Sequence, residues 1–165
     1  MTSHPLPRTI AMKSTHDLIR HLLATLAYRT HKAALTAPSG FSNFKAGSGV
    51  RTPRQLIHHV NEMLFFAHRC FGNPGPRSLQ FLSWEKEIER FRKILALLDA
   101  DLAERRALNR ELTLEMLLQG PFADALTHAG QLAMLRRLAG SSLPPEEFVF
   151  ADIKVSGPRR TRSRR

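Results

Sequence analysis

Asp124 and His128 stand four residues apart in the stretch Asp124-Ala-Leu-Thr-His128-Ala-Gly-Gln131-Leu-Ala-Met-Leu-Arg-Arg-Leu-Ala-Gly140, whose other residues are mostly apolar. Residues at i and i+4 share one face of a helix, a turn apart. On a helical wheel Asp124, His128, Gln131, Leu135 and Leu138 fall within about 40° of one line. Arg136 and Arg137 point to the far side. If the two leucines face a core, Asp124 and His128 face it as well. Burying such groups is costly unless they are paired, hydrogen-bonded or bound to a metal.

A metal needs ligands that converge from separate elements. The pair His58-His59 belongs to an earlier helical stretch, where the wheel groups His59 with Leu56, Met63, Phe66 and Cys70. His68 falls on the opposite side near Asn61, so His59 is the inward candidate. With Asp124 and His128 it supplies two nitrogens and one carboxylate oxygen. Three protein ligands leave a coordination position for water or substrate, the pattern of catalytic zinc. Non-haem iron also accepts two histidines and a carboxylate. Glu62, a turn beyond His59, is a candidate fourth ligand, general base or partner of His59. Gln131 is a candidate for hydrogen bonding to a ligand or cofactor, or for satisfying a core polar group. The spacing is equally compatible with no metal: Asp124 then orients His128, and His59 is an ordinary core histidine. A ferritin-like di-iron site needs two Glu-x-x-His motifs, which the chain lacks.

These residues need helices to hold them. Apolar spacing from Ser14, through Leu18, Ile19, Leu22, Leu23 and Leu26, predicts a first helix capped by Ser14 and ended near Thr36. Thr52-Pro53-Arg54-Gln55 is a capping box with proline in the first turn, and Gly72-Asn-Pro-Gly-Pro76 stops that second helix near Phe71. A third helix follows Ser83, with Ile88, Phe91, Ile94, Leu95 and Leu98 at core spacing. After a short turn around Leu114–Leu118, Pro121 opens the last long helix and Gly140 closes it. Phe148-Val-Phe150 reads as a brief extended segment. The prediction is an all-α antiparallel four-helix bundle over residues 14–155, with a long connection after helix 1 or 2. Residues 1–13 form an N-terminal arm and 156–165 a disordered basic tail.

Bulk composition limits the alternatives. The 165 residues suit one domain, and the single cysteine, Cys70, excludes an internal disulfide and a thiolate zinc cluster. Cys70 reads as a small core residue rather than a nucleophile. With no signal-like stretch and no apolar run of membrane length, the expectation is a soluble cytoplasmic protein without membrane contact. The net charge of +11 is concentrated at the end: Arg159, Arg160, Arg162, Arg164 and Arg165 lie in the last seven residues. Without aromatic interleaving, nucleic-acid contact is confined to weak contacts of that tail.

The segments Thr52-Pro-Arg-Gln-Leu-Ile-His-His59-Val-Asn-Glu62-Met-Leu and Gly120-Pro-Phe-Ala-Asp124-Ala-Leu-Thr-His128-Ala-Gly-Gln131-Leu, with the trailing Leu-Arg-Arg-Leu-Ala-Gly, resemble the two motifs of the DinB/YfiT-like superfamily of four-helix metal-binding proteins. The end, Phe148-Val-Phe-Ala-Asp-Ile153, is similar to that of a DinB-like subgroup, and the resemblance spans roughly residues 14–155. It implies a divalent metal (zinc, nickel or iron) on His59, Asp124 and His128. Most members carry histidine where Asp124 stands, whereas mycothiol-dependent relatives carry a carboxylate, usually the longer Glu. The implied activities are transfer or isomerisation with a low-molecular-weight thiol, and metal-dependent hydrolysis; Glu62 is a candidate proton acceptor in either case, and a homodimer is expected. A reading of a different class is a non-catalytic stress or interaction protein forming a homodimeric bundle.

Overall fold

A computed structural model of the protein describes residues 14–35, 37–109 and 111–155. The expected arm, residues 1–13, and the expected tail, 156–165, lie outside the described residues. The fold is all-helical, with no strand among the described residues. Four long helices, α1 (Thr15–Leu35), α2 (Pro53–Cys70), α3 (Trp84–Ala103) and α5 (Ala123–Leu138), are joined by loops and one short turn of helix, α4 (Leu114–Leu117). No described helix is long and apolar enough to cross a membrane.

The helix starts follow from local chemistry. Ser14 Oγ donates to Asp17 Oδ2 (2.8 Å) and accepts from the Asp17 N–H (3.3 Å). Thr52 Oγ1 accepts from the Gln55 N–H, and Gln55 Oε1 accepts from the Thr52 N–H, so the predicted capping box is present. Gly140 closes α5 at a φ of 76°, the left-handed conformation that glycine adopts freely. Between α4 and α5 the chain forms a wide π-type turn, Leu118–Phe122, with a non-helical Gly120 (φ −94°, ψ −105°) just before Pro121. The Phe148–Phe150 segment is a 3-10 turn rather than extended.

The long helices pack in a ring: α1 touches α3 and α5, and α2 touches α3 and α5. Their directions differ from a fully antiparallel bundle. His58 meets Glu87 near the starts of α2 and α3, and His68 meets Asp101 near their ends, so these neighbours run the same way. Arg20, early in α1, instead meets Asp99, late in α3. The connection over residues 71–83 makes the parallel pair possible. Thirteen extended residues reach roughly 43 Å, whereas the 18-residue α2 is about 27 Å long.

Two wheel assignments shift. The buried side of α2 carries Leu56, Ile57, Val60, Asn61, Leu64, Ala67, His68 and Cys70, while Phe66 is 53 % exposed. Asn61 and His68, expected on the far side, are buried because each has a carboxylate partner on α3. On α5 the buried stripe is Ala125, His128, Ala129, Leu132, Leu135 and Arg136, one position out of register with the expected line. Leu138 is therefore exposed and Arg136 buried. The Arg136 guanidinium is satisfied there by the Ala33 carbonyl (3.1 Å) and by Ser141 through its carbonyl (3.0 Å) and hydroxyl (2.9 Å).

Candidate metal centre

His59, Asp124 and His128 come together where α2 faces the start of α5. One ligand atom from each lies within 4.8 Å of the others. His128 Nε2 is 3.4 Å from Asp124 Oδ1, and His59 Nε2 is 3.9 Å from Asp124 Oδ2. The imidazole rings meet edge to face with centroids 5.0 Å apart. Ligands of a tetrahedral zinc ion, bonded at 2.0–2.1 Å, lie about 3.3 Å apart, so a small contraction closes the site on a cation.

The shift in α5 register changes how Asp124 is presented. Its side chain is 47 % exposed, whereas that of His128 is 7 % exposed. The site therefore lies at the bundle surface, with His128 as its buried floor and Asp124 at its rim. His59, 30 % exposed, forms the other wall.

The state of His128 is set by a neighbour. Its Nδ1 lies 2.9 Å from Gln131 Oε1, an acceptor, so in the neutral ring Nδ1 carries the proton and Nε2 the lone pair. That Nε2 is buried and has no hydrogen-bond partner. A lone pair directed at a carboxylate oxygen 3.4 Å away calls for positive charge between them, which either a proton on Nε2 or a bound cation supplies. The residues thus fit a divalent cation: a soft-to-borderline nitrogen, a second imidazole and an anionic oxygen converge on one point. Burial pushes the His59 imidazole below its usual value, with the charge of Arg51 and the nearby His128 acting in the same direction. Asp124 and Glu62 oppose that shift. Neutral imidazole is the form that binds metal.

Beside the cluster is a hollow of about 420 Å³ lined by Arg51, Gln55, His58, His59, Glu62 and Phe81. Glu62 thus sits in the space next to His59 but outside the three-residue cluster. Its Oε1 is 3.8 Å from His58 Nε2. Gln131, a candidate either for contact with a ligand or for satisfying a core polar group, places its Oε1 at His128 Nδ1 and orients that ring.

A polar group that the sequence reading missed supports this wall. Glu87 is completely buried. Its Oε1 accepts from His58 Nδ1 (2.9 Å) and the Leu82 N–H (2.8 Å), and its Oε2 accepts from Asn61 Nδ2 (2.7 Å). Arg90 adds contacts of 3.3 Å to both oxygens. Burial pushes the Glu87 carboxyl up, but the bonds from Asn61, Leu82 and His58, with the charge of Arg90, outweigh it and hold the carboxyl below its ordinary value. The bond to Glu87 fixes the His58 ring so that its other nitrogen faces Glu62. A second buried network ties the far ends of α2 and α3, with Asp101 accepting from His68 (2.6 Å), Asn73 and Arg106 (2.8 Å). The available sequence signal was the α3 stripe: Glu87, Phe91, Ile94, Leu98 and Asp101 follow a four-three spacing that places carboxylates at both ends of a core face. Comparison of the chain with protein-family models, with curated proteins and with solved structures gives no match.

Proposed function

We propose that the protein is a DinB/YfiT-like metal-binding bundle that catalyses a metal-dependent reaction, either transfer of a low-molecular-weight thiol or hydrolysis. The observation that carries the reading is the buried, unpartnered Nε2 of His128, its lone pair fixed by Gln131 and turned toward the Asp124 carboxylate. His59, Asp124 and His128 would hold the cation, zinc, nickel or iron. When bound, it supplies Lewis acidity that makes a thiol or water more acidic and polarises an electrophile.

The remaining roles fall to the chain's own groups. Glu62, in the hollow beside His59, accepts the proton released by the thiol or water. His58, held by buried Glu87, keeps an imidazole nitrogen facing that carboxylate and steadies it for the transfer. Gln131 keeps His128 in its ligating tautomer. Half-exposed Asp124 leaves the site open to solutes without movement of the core.

The test is a screen of metal-loaded protein for conjugation of small thiols to electrophiles and for hydrolysis of amides and esters. The expected result is turnover that falls by roughly 10²- to 10⁴-fold in Glu62→Gln at unchanged metal content. Absence of turnover with any thiol or hydrolysable substrate by fully loaded protein would remove the catalytic reading and leave a binding protein.

A further inference from the structure

Across the bundle from the metal cluster, α1 and α3 enclose a second hollow of about 720 Å³. That volume lies within the range of small-molecule sites. Its walls include Leu23, Ala24 and Ala27 of α1 and Phe91, Leu95 and Ala96 of α3. Alanines at these positions leave open the space that larger side chains would fill. The lining runs along α1 from Arg20 to Ala34, a length of roughly 20 Å at the helical rise. The hollow is a long apolar trough.

The C-terminal segment roofs it. Glu146 accepts from the Tyr28 hydroxyl (2.5 Å) and from Lys32, both on α1. The Phe148 ring packs edge-on against Tyr28 and lies under the Arg29 guanidinium, 4.0 Å away. Beyond this anchor, Ala151, Ile153 and Val155 are half-buried and alternate with exposed Asp152 and Lys154. Residues 152–155 thereby form a third wall. A trough closed on three sides suits a slender chain better than a docking helix of about 10 Å diameter.

Charge selects the kind of chain. Arg20 is held by Asp99 through two bonds (2.7 and 3.1 Å), and Lys154 by Asp152 (2.8 Å). Arg92, exposed on the same wall near His31, forms no ion pair or hydrogen bond among the described residues. In sequence, five arginines follow within ten residues of Val155. The trough thus combines an apolar floor with one cation, Arg92, whose charge is felt by Glu89 a turn back on α3 but which no carboxylate among the described residues holds in a direct ion pair.

We propose that the α1–α3 trough binds a single-chain amphiphile with an anionic headgroup, such as a fatty-acid-like carboxylate, with its alkyl chain on the alanine floor and its carboxylate at Arg92. Calorimetric titration of the full chain with sodium decanoate, below its micelle concentration, tests this. Saturable one-to-one binding is expected. Filling the trough in Ala24→Leu/Ala96→Phe should weaken it by at least about tenfold. Arg92→Gln should weaken it roughly fivefold, the size of one partly exposed ion pair, while leaving decanol binding unchanged. His128→Ala should bind decanoate as the wild type does. If the double variant melts early, Ala96→Phe alone, at an exposed position, carries the test. The proposal fails if decanoate gives no saturable binding, if decylammonium binds as well, or if the filling variants bind normally. It also fails if anionic vesicles bind where decanoate does not. Filling variants that change only the solution mass, with no decanoate binding by wild type, would assign the trough to a second copy of the chain.

Discussion

Replacing Glu87 with glutamine tests whether the wall behind the candidate site is held by a buried charge. The carboxylate is fully buried and accepts from Asn61, Leu82, His58 and Arg90. Glutamine keeps the shape but turns one acceptor into a donor, which then faces the Asn61 amide or the Leu82 N–H and His58. One buried donor left unsatisfied costs about 1–3 kcal/mol, and loss of charge assistance raises the total to roughly 2–4 kcal/mol. At this chain length each kcal/mol moves Tm by about 2–4 °C, so a fall of roughly 4–16 °C is expected. The pH dependence follows from the direction of the shift. A carboxyl held below its ordinary value contributes fully above that value, about 4.3 for glutamate, and loses the contribution as pH falls through the folded-state value. The stability gap between wild type and Glu87→Gln should therefore be full at neutral pH and close in acid. Thermal melts followed by circular dichroism at several pH values measure both. A variant melting within about 2 °C of wild type at pH 7, or a gap that widens as pH falls, would refute the reasoning.

Three further outcomes are expected. Gln131→Leu takes the acceptor from the Nδ1–H of buried His128, so it should cost metal-free protein no more than about 1–3 kcal/mol and weaken metal binding by about 10- to 100-fold; thermal melts and titration with a competing chelator read the two effects. Arg136→Ala removes the donors to the Ala33 carbonyl and Ser141 and should cost roughly 2–4 kcal/mol in denaturant unfolding. Cys70 is buried, and burial pushes its thiol up against the weaker opposing effect of Arg69, so a thiol reagent should label it only after unfolding.

How much of this could be read from residue order depends on where the signal lies. The caps at Ser14, Thr52 and Gly140 are local: each rests on side chains or dihedrals within a few residues, and the structure shows them as expected. The cluster of His59, Asp124 and His128 was legible in part: helical spacing puts Asp124 and His128 a turn apart, whereas the approach of His59 from another helix was implied only by the family resemblance. Rotation of each helix about its axis was less so. α5 is rich in alanine and leucine on several sides, so its apolar pattern scarcely distinguishes one register from the next, and Arg136 rather than Leu138 is inside. On α2 a wheel sees the polarity of Asn61 and His68 but not the carboxylates that α3 brings to them. The shared direction of α2 and α3 depends on how the chain uses residues 71–83, which no periodicity records.

The central claim is that His59, Asp124 and His128 form one cation site. Calorimetric titration of chelator-stripped protein with zinc at neutral pH tests it most directly, alongside His59→Ala, Asp124→Ala and His128→Ala. The prediction is one ion per chain, with affinity lowered in all three variants and most in His128→Ala, which loses the buried floor ligand. Zinc binding of equal affinity in wild type and all three variants, or none in wild type, would contradict it.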